Sequence, residues 1–457
     1  MFLLGWAVWA GALTVARGDP EPQLLKVAAG AREILTMESY WRWHMTLRPP
    51  TIEPAMPGGR PEQLSFMRNT ANHRGCDCDY SDAPPVEWIQ PDFDDSAWPR
   101  TRGKWLSEQA ERKLSTMLLS LRGRFLVPEP QRVRSLYLFV SYHGGVRVFL
   151  NGQEVARQHV PAGDLTENTP AQSYEAGAFV NASGEIIGTR NADPETLAVR
   201  VRKLGPIEVP TRFLRRGVNV LALEIRRTHY HPSAKGWWNY PLETRKQPWW
   251  TTGKLVDVWL RADGTGVEPN IARPAGVQVW VHDRNDRVYT ADYGDPCEPP
   301  GRIKLVGVRN AGFCGQFVIG SPQEIRDLKV SVTPLSAKSG ASTIPGERIV
   351  LLCGHAPVTT RGVGTWFRNL TPNLPSTVPV FGQDGAVLPV LLRVEVPKDT
   401  APGVYQGGVT VSAAGGTRIQ LPVELTVAAW TAPDPRQRRT YVGLYQSPQS
   451  VALQYKV

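Results

Sequence analysis

The stretch VRVFLNGQEVA, residues 146–156, contains two strand-like runs on either side of Asn151 and Gly152. A two-residue hairpin turn of type I′ requires positive φ at both central positions, and Asn followed by Gly meets that requirement well. We therefore predict a tight β-hairpin centred on this pair.

A strand is also predicted in GVNVLALEI, residues 217–225. Gly217 ends the preceding loop, and Leu221, Leu223 and Ile225 then alternate, which places them on one face of a strand. Dense Gly, Pro, Asn and Asp between short apolar runs extend this pattern along the chain, so we predict an all-β protein with few helices.

The segment FDDSAW, residues 93–98, is predicted to be a turn that delivers an anchor to the core of the first domain. Asp94, Asp95 and Ser96 are residue types that hydrogen-bond to nearby backbone N–H groups. Trp98 follows directly and supplies a large apolar surface for burial.

Together these elements resemble the galactose-binding-like jelly roll that serves as the sugar-binding domain of family 2 glycoside hydrolases and their relatives. The matching positions are Trp88, 93–98, 150–152 and 217–221. The resemblance implies a jelly roll over residues 19–265, with an insertion at about 158–212. It says less about a ligand, because many such domains only support a neighbouring catalytic domain.

A second β-sandwich is predicted over residues 270–430. Near its end Ile419, Leu421, Val423, Leu425 and Val427 alternate with polar residues, which indicates a half-buried antiparallel strand. One of the outward residues is a proline, residue 422, and this predicts an edge position for the strand.

Two stretches of this second region, VEVPKDTAPGVYQGGVTV (394–411) and VRNAGFCGQFVI (308–319), resemble the immunoglobulin-like sandwich that precedes the catalytic barrel in glycoside hydrolase family 123. Ala311 departs from that pattern, which often has an acidic residue there. The resemblance implies that TYVGLY, after the Pro433–Pro435 linker, starts a (β/α)₈ barrel. Residues 431–457 are therefore expected to be a linker and the first strand of a truncated catalytic barrel.

Composition suits a soluble globular protein of two or three domains, with 457 residues, 41% of them hydrophobic and 21% charged. Residues 1–18 have the apolar stretch of a signal peptide, so we expect a secreted or periplasmic protein, and no later run is long enough to span a membrane. The net charge of +10 comes from dispersed basic residues, which argues against nucleic-acid binding. The charge is compatible with an acidic polysaccharide, and the oligomeric state is open.

Five cysteines in so long a chain do not form a disulfide framework. Cys76 and Cys78 are too close for a bond to each other, and no second Cys/His pair lies nearby in sequence to complete a zinc site. In an exported protein, Cys297 and Cys314 could bridge one short loop.

The candidate substrate-binding site is a Pro/Gly-containing loop within residues 226–253. Aromatic faces are common platforms for sugar rings, and an indole also donates a hydrogen bond. Such rings more commonly close the open end of a sandwich or pack on the next domain, and this alternative is favoured. The candidate residues are Trp237, Trp238, Tyr240, Trp249 and Trp250.

No catalytic residue, metal site or cofactor is predicted. His229 and His231 are two apart but lack a nearby carboxylate pair, so they are interpreted as surface histidines. Glycoside hydrolysis requires two positioned groups, usually carboxylates. Three acidic pairs are close in sequence, and each fits a turn better than catalysis: Asp94/Asp95, Asp283/Asp286 and Asp292/Asp295.

Three functions compete. The first is a non-catalytic carbohydrate-binding or supporting region of a secreted glycoside hydrolase whose catalytic barrel is absent from this chain. The second is a complete, non-enzymatic carbohydrate-binding or cell-surface protein. The third is a hydrolase with an unrecognised site in the inserted rim.

Overall fold

The computed structural model describes residues 25–434, apart from 55, 57–58, 64–79, 105, 107–113, 186, 188–191, 234–249, 341 and 361–363, and also residue 437. The chain divides into two compact units. Unit 1 comprises Met1–Phe93 and Thr101–Pro269, and unit 2 comprises Asp94–Arg100 and Asn270–Val457. The predicted signal peptide and the predicted first barrel strand lie outside the described residues.

Unit 1 is a sandwich of two antiparallel sheets. Its strands are β1 (Arg32–Leu35), β2 (Tyr40–Leu47), β3 (Thr51–Ile52), β4 (Glu62–Gln63), β5 (Arg100–Arg102), β6 (Thr116–Val127), β7 (Val133–His143), β8 (Gly145–Leu150), β9 (Gln153–Gln158), β10 (Arg202–Val209), β11 (Gly217–Arg226) and β12 (Lys254–Gly264). One sheet has the order β1-β12-β7-β10 and the other the order β5-β2-β6-β11-β8-β9, while β3 and β4 pair separately.

The helices of unit 1 are short. Helix α1 (Pro194–Val199) starts at Asp193, whose carboxylate accepts a hydrogen bond from Thr196 N at 2.8 Å. Single 3₁₀ turns are Val86–Ile89, Pro130–Arg132, Ala176–Ala178 and Thr211–Phe213. The region predicted to be an insertion therefore contains α1 and also β10, which pairs with β7 and extends the four-stranded sheet.

The core of unit 1 lies between its two sheets. In the six-stranded sheet Leu221 is opposite Gly123, and Leu223 is opposite Leu121. Gly123 makes room for the indole of Trp41, because a Cβ at this position would come within 2.7 Å of Trp41 Cζ3. Trp41 is fully buried, so the glycine is a packing requirement of this core.

The predicted hairpin is confirmed. Asn151 and Gly152 have φ of 49° and 84°, as a type I′ turn requires. The Asn151 side chain also fixes the next strand of the motif, since its Nδ2 donates to Asn219 Oδ1 at 2.7 Å and its Oδ1 accepts from Val220 N at 2.9 Å. The hairpin and β11 therefore position each other.

The turn at residues 93–98 is confirmed, but its place in the fold differs from the prediction. Ser96 N donates to Asp94 Oδ1 at 3.0 Å, and Trp98 N donates to Asp95 O at 2.9 Å. Trp98 is buried but is absent from the core of unit 1, because residues 94–100 belong to unit 2. A local turn pattern does not indicate which unit buries the Trp98 side chain.

Unit 2 is a second β-sandwich. Its strands are β13 (Gln278–His282), β14 (Ile303–Arg309), β15 (Ala311–Ser321), β16 (Lys329–Val332), β17 (Leu335–Ala337), β18 (Thr343–Ile344), β19 (Ile349–His355), β20 (Val358–Thr360), β21 (Gly364–Trp366), β22 (Asn369–Thr371), β23 (Ala386–Val396), β24 (Gly403–Ala413) and β25 (Thr417–Thr431), with 3₁₀ turns at Gly346–Arg348 and Ala414–Gly416. The sheet orders are β13-β15-β23-β19-β22 and β14-β25-β24-β17-β18, with β16 also on β24 and a separate β20-β21 pair. The prediction of two successive all-β sandwiches is confirmed.

The alternation along β25 is confirmed, but the predicted edge position is wrong. Leu421, Val423 and Leu425 are buried, while Pro422 between them is exposed. The strand lies between β24 and β14, and its pairing with β14 is parallel. The proline is tolerated inside the sheet because the ladder with β14 begins only at the next residue, Val423.

No helix in the described part of the chain is long and apolar enough to cross a membrane.

Candidate functional site

Of the five predicted aromatic site residues, Trp237, Trp238, Tyr240 and Trp249 lie outside the described residues. Trp250 is described and is only 5% exposed. Its indole packs against three rings, with centroids 5.5 Å from His143, 5.2 Å from Tyr174 and 5.2 Å from Phe179. Trp250 is therefore part of a small aromatic core at one end of unit 1.

Hydrogen bonds join the two ends of the segment that contains the predicted aromatic site residues. Tyr230, which is fully buried, donates from its hydroxyl to Trp250 O at 3.2 Å. Thr252 Oγ1 donates to Thr228 O at 3.2 Å, so a second bond links the same two segments. The loop therefore begins and ends on a buried, hydrogen-bonded base.

Two arginines adjoin this base. The Arg200 guanidinium lies over the Trp250 ring at 4.7 Å and donates from Nε to Ala178 O and from Nη2 to Ile187 O. The Arg202 guanidinium lies over Tyr174 at 3.9 Å and donates to three backbone carbonyls. We call Tyr174, Phe179, Arg200, Arg202 and Trp250 the end cluster.

The end cluster is positively charged and buried. Burial lowers the pKa of Arg200 to about 10, and burial raises the pKa of the Tyr174 hydroxyl to about 12. Nearby, burial and then the charge of Arg202 lower the pKa of His159 to about 4. Each shift reflects the cost of placing a charge in a low-dielectric region.

The two histidines of the loop base are half-buried, not surface residues as predicted. His229 Nδ1 lies 2.7 Å from Thr51 Oγ1, and His231 Nδ1 lies 2.9 Å from Ser233 Oγ. The ring of His231 also stacks on Phe179 at 5.7 Å. Within the described residues no group of three His, Cys, Asp or Glu could hold a metal ion.

The acidic pairs of unit 2 form turns, as predicted. Asp283, Asp292 and Asp295 each accept a backbone N–H, at 2.8 Å in every case, from Asn285, Tyr289 and Cys297 respectively. Sequence reasoning did not identify the burial of Asp295, whose side chain also accepts a hydrogen bond from Asn270 Nδ2 at 2.9 Å.

Burial, and then the neighbouring Glu298, raise the pKa of Asp295 to about 6. Burial also raises the pKa of Asp286. Buried carboxyl groups with raised pKa occur at functional sites as well as in structural networks. Here the backbone and amide donors around Asp295 indicate a structural role in the turn that leads to Cys297.

A buried ionic network on the six-stranded sheet also escaped the sequence reasoning. Arg226 Nε donates to Glu224 Oε1 at 2.7 Å, and both side chains are at least 92% buried. Arg147 lies 3.5 Å from the same carboxylate and 2.6 Å from Glu154. The signal in the sequence was the charged pair at alternating positions of β11, Glu224 and Arg226.

The predicted Cys297–Cys314 bridge is wrong, because both thiols are free. Cys297 lies in a turn held by Asp295, and Cys314 lies within strand β15.

No family model and no curated protein matches this chain. Solved structures give weak matches. One is a family 123 glycoside hydrolase from Clostridium perfringens, with 13% identity and a TM-score of 0.32, where the match covers 40% of this chain and 32% of that one. Another is a family 2 β-glucuronidase, with 9% identity and a TM-score of 0.25, where the match covers 87% of this chain and 31% of that one. A Bifidobacterium dentium β-glucuronidase complexed with coumarin-3-O-glucuronide has 9% identity and a TM-score of 0.26, and the match covers 87% of this chain and 48% of that one. This chain thus spans about a third to a half of the matched structures, and likeness at these TM-scores carries no weight for function.

Proposed function

We propose that this chain is a non-catalytic carbohydrate-binding and supporting region of a secreted or periplasmic glycoside hydrolase. In this proposal Trp237, Trp238, Tyr240 and Trp249 supply stacking surfaces, and Trp250 anchors the loop that presents them. The residues of the catalytic barrel would follow Tyr441.

One observation carries the proposal. The aromatic-rich loop starts and ends on a buried base, in which Tyr230 bonds to Trp250 and the end cluster packs around the indole. A loop whose ends are fixed loses less conformational entropy when it binds a ligand than a free segment would. Such a base suits a loop that presents aromatic faces to a sugar.

A glycan array followed by titration calorimetry on the full chain tests the binding role. We expect weak binding, since each stacked ring contributes on the order of 1 kcal/mol. Replacing Trp237 and Trp238 by Ala should abolish it. The matched control is Trp430→Ala, which removes an indole that is 61% exposed in unit 2 and should leave binding unchanged.

Loss of binding in the control, or retention in the loop variant, would reject the assignment of the site. The non-catalytic role is tested separately with chromogenic N-acetylhexosaminides, galactosides and glucuronides, none of which the purified chain should hydrolyse. Turnover that disappears when one acidic residue of this chain is replaced would contradict it.

The second candidate, a complete carbohydrate-binding or cell-surface protein without a hydrolase domain, shares the binding site. It differs in what the gene encodes beyond codon 457. An in-frame continuation with further β/α units supports the first candidate, and a stop codon followed by an unrelated gene supports the second.

A further inference from the structure

In the described part of the chain, three arginines at the end of unit 1 have no carboxylate partner. Arg200 and Arg227 are almost fully buried, at 1% and 2% exposure, and Arg202 is half-buried. Among the residues that the structure describes, no Asp or Glu forms an ion pair with any of them. Their polar contacts are almost all backbone carbonyls.

One other deeply buried arginine of unit 1 is paired with a carboxylate. Arg226, next to Arg227 in sequence and 2% exposed, is paired with Glu224. A buried guanidinium without a counter-charge is unfavourable, because neutral carbonyl dipoles replace its hydration only in part. The unpaired charge at this end therefore requires an explanation of its own.

Two buried hydrogen-bond donors lie at this end of unit 1. Arg200 Nη1 and Trp250 Nε1 have no hydrogen-bond partner in the described part of the chain, although both side chains are at least 95% buried. They belong to adjacent groups, since the Arg200 guanidinium lies 4.7 Å from the centre of the Trp250 ring. Buried polar donors in native proteins almost always have a partner, which can be water or a ligand.

We propose that Arg200 and Trp250 bind the carboxylate of a uronic acid residue, with Arg202 adding positive potential. A carboxylate has two acceptor oxygens and one negative charge, which match a guanidinium N–H, an indole N–H and the uncompensated charge. This inference rests on the proposed carbohydrate-binding function and narrows it to acidic glycans. The half-buried ring of Trp259 beneath Arg261 provides a comparison, because there Glu33 supplies the counter-charge at 2.9 Å.

Titration calorimetry with the full chain tests the proposal. The probes are oligogalacturonate and oligoglucuronate, the same oligosaccharides as neutral methyl esters, and sodium acetate and sodium sulfate. We expect the acidic oligosaccharides to bind at least about tenfold more tightly than their methyl esters, the scale of a lost hydrogen bond to a charged group.

Arg200→Met should remove this preference while keeping an unbranched side chain over the indole, and Trp250→Phe should weaken binding of the acid without affecting the ester. Arg261→Met is the matched control, since Arg261 also stacks on a tryptophan, at 4.5 Å. Circular dichroism and the Tm establish that each variant is folded. If Arg200→Met does not fold, Trp250→Phe and the comparison of acid with ester in the unmodified chain still decide the question.

The outcomes separate this inference from the proposed function. Equal binding of acid and ester would leave the carbohydrate function standing and overturn the carboxylate site. Binding of acetate or sulfate alone, or binding of no probe, would overturn the uronate assignment, and the glycan array would then decide the carbohydrate function separately. A preference for the acid that survives in both variants would place the anion elsewhere and reject the roles of Arg200 and Trp250.

Discussion

Replacing Asp295 by Asn is predicted to stabilise unit 2 at neutral pH. The carboxyl is 7% exposed, and burial together with Glu298 raises its pKa from 3.8 to about 6. At about 1.4 kcal/mol per pKa unit, ionising Asp295 costs the folded protein roughly 3 kcal/mol more than the unfolded chain. Asn keeps the Oδ1 that accepts from Cys297 N and Asn270 Nδ2 and never ionises.

The sign follows from proton linkage. The folded protein binds the proton of Asp295 more tightly than the unfolded chain does, so the stability of unit 2 falls as pH rises from about 4 to about 6 and is then constant. In Asp295→Asn this decline should disappear. The variant should match the unmodified chain at pH 4 and exceed it by roughly 3 kcal/mol above pH 6.

Amide hydrogen exchange of the central strand β23, followed from pH 4 to pH 8, reports the stability of unit 2 alone. A melting curve gives a second measurement, in which each kcal/mol corresponds to about 2–4 °C for a domain of this size. Asp283→Asn is the matched control, because exposed Asp283 accepts the same kind of turn hydrogen bond, from Asn285 N at 2.8 Å. The reasoning is refuted if Asp295→Asn and Asp283→Asn have the same pH profile, or if Asp295→Asn is less stable at pH 7.

Three further predictions concern unit 1. Gly123→Ala should lower its stability by about 1–3 kcal/mol because the new Cβ meets Trp41 at 2.7 Å, whereas Gly177→Ala, where nothing lies within 4 Å, should have little effect in the same denaturant titration. Glu224→Gln should cost about 3–5 kcal/mol because it leaves Arg226 buried without its charge partner, and a loss below 1 kcal/mol would contradict the importance of the pair. Unit 1 should lose stability as pH falls from 6.5 toward 4, because the folded pKa of His159 is about 4, and His159→Gln should flatten that decline in hydrogen exchange of β7.

Local patterns predicted the strands and turns well. The Asn151-Gly152 hairpin, the alternation of β11 and β25 and the turn at 93–98 each depend on a few neighbouring residues, whose preferences act whatever the rest of the chain does. Predictions that depended on what covers a strand were less successful. Pro422 indicated an edge because its missing N–H weakens a ladder, but the sequence does not show that a parallel partner begins one residue later.

The site was harder to predict for the same reason. Five aromatic residues in one loop suggested sugar stacking, yet the ring of Trp250 faces a core assembled from Tyr174 and Phe179, which are more than 70 residues away in sequence. Likewise Glu224 and Arg226 sit at positions that alternate with core residues, a pattern that predicts exposure for charged side chains. Their burial follows from segments that pack over this face, such as the one whose Thr166 and Thr169 carbonyls accept from Arg226.

Adjacent Arg226 and Arg227 show why the end cluster is a better candidate for a ligand than the sheet. Glu224 neutralises the buried charge of Arg226 on that face. In the described part of the chain, Arg200 donates to backbone carbonyls and Arg227 to backbone carbonyls and Met117 Sδ. The pKa of both arginines is lowered to about 10 because burial disfavours the charged form. The unsatisfied indole N–H of Trp250 adjoins Arg200, and Trp250 also closes the aromatic loop. The uncompensated charge of Arg200 therefore lies beside the unused indole donor of Trp250 at the loop base, and an acidic sugar is the ligand that would use all three.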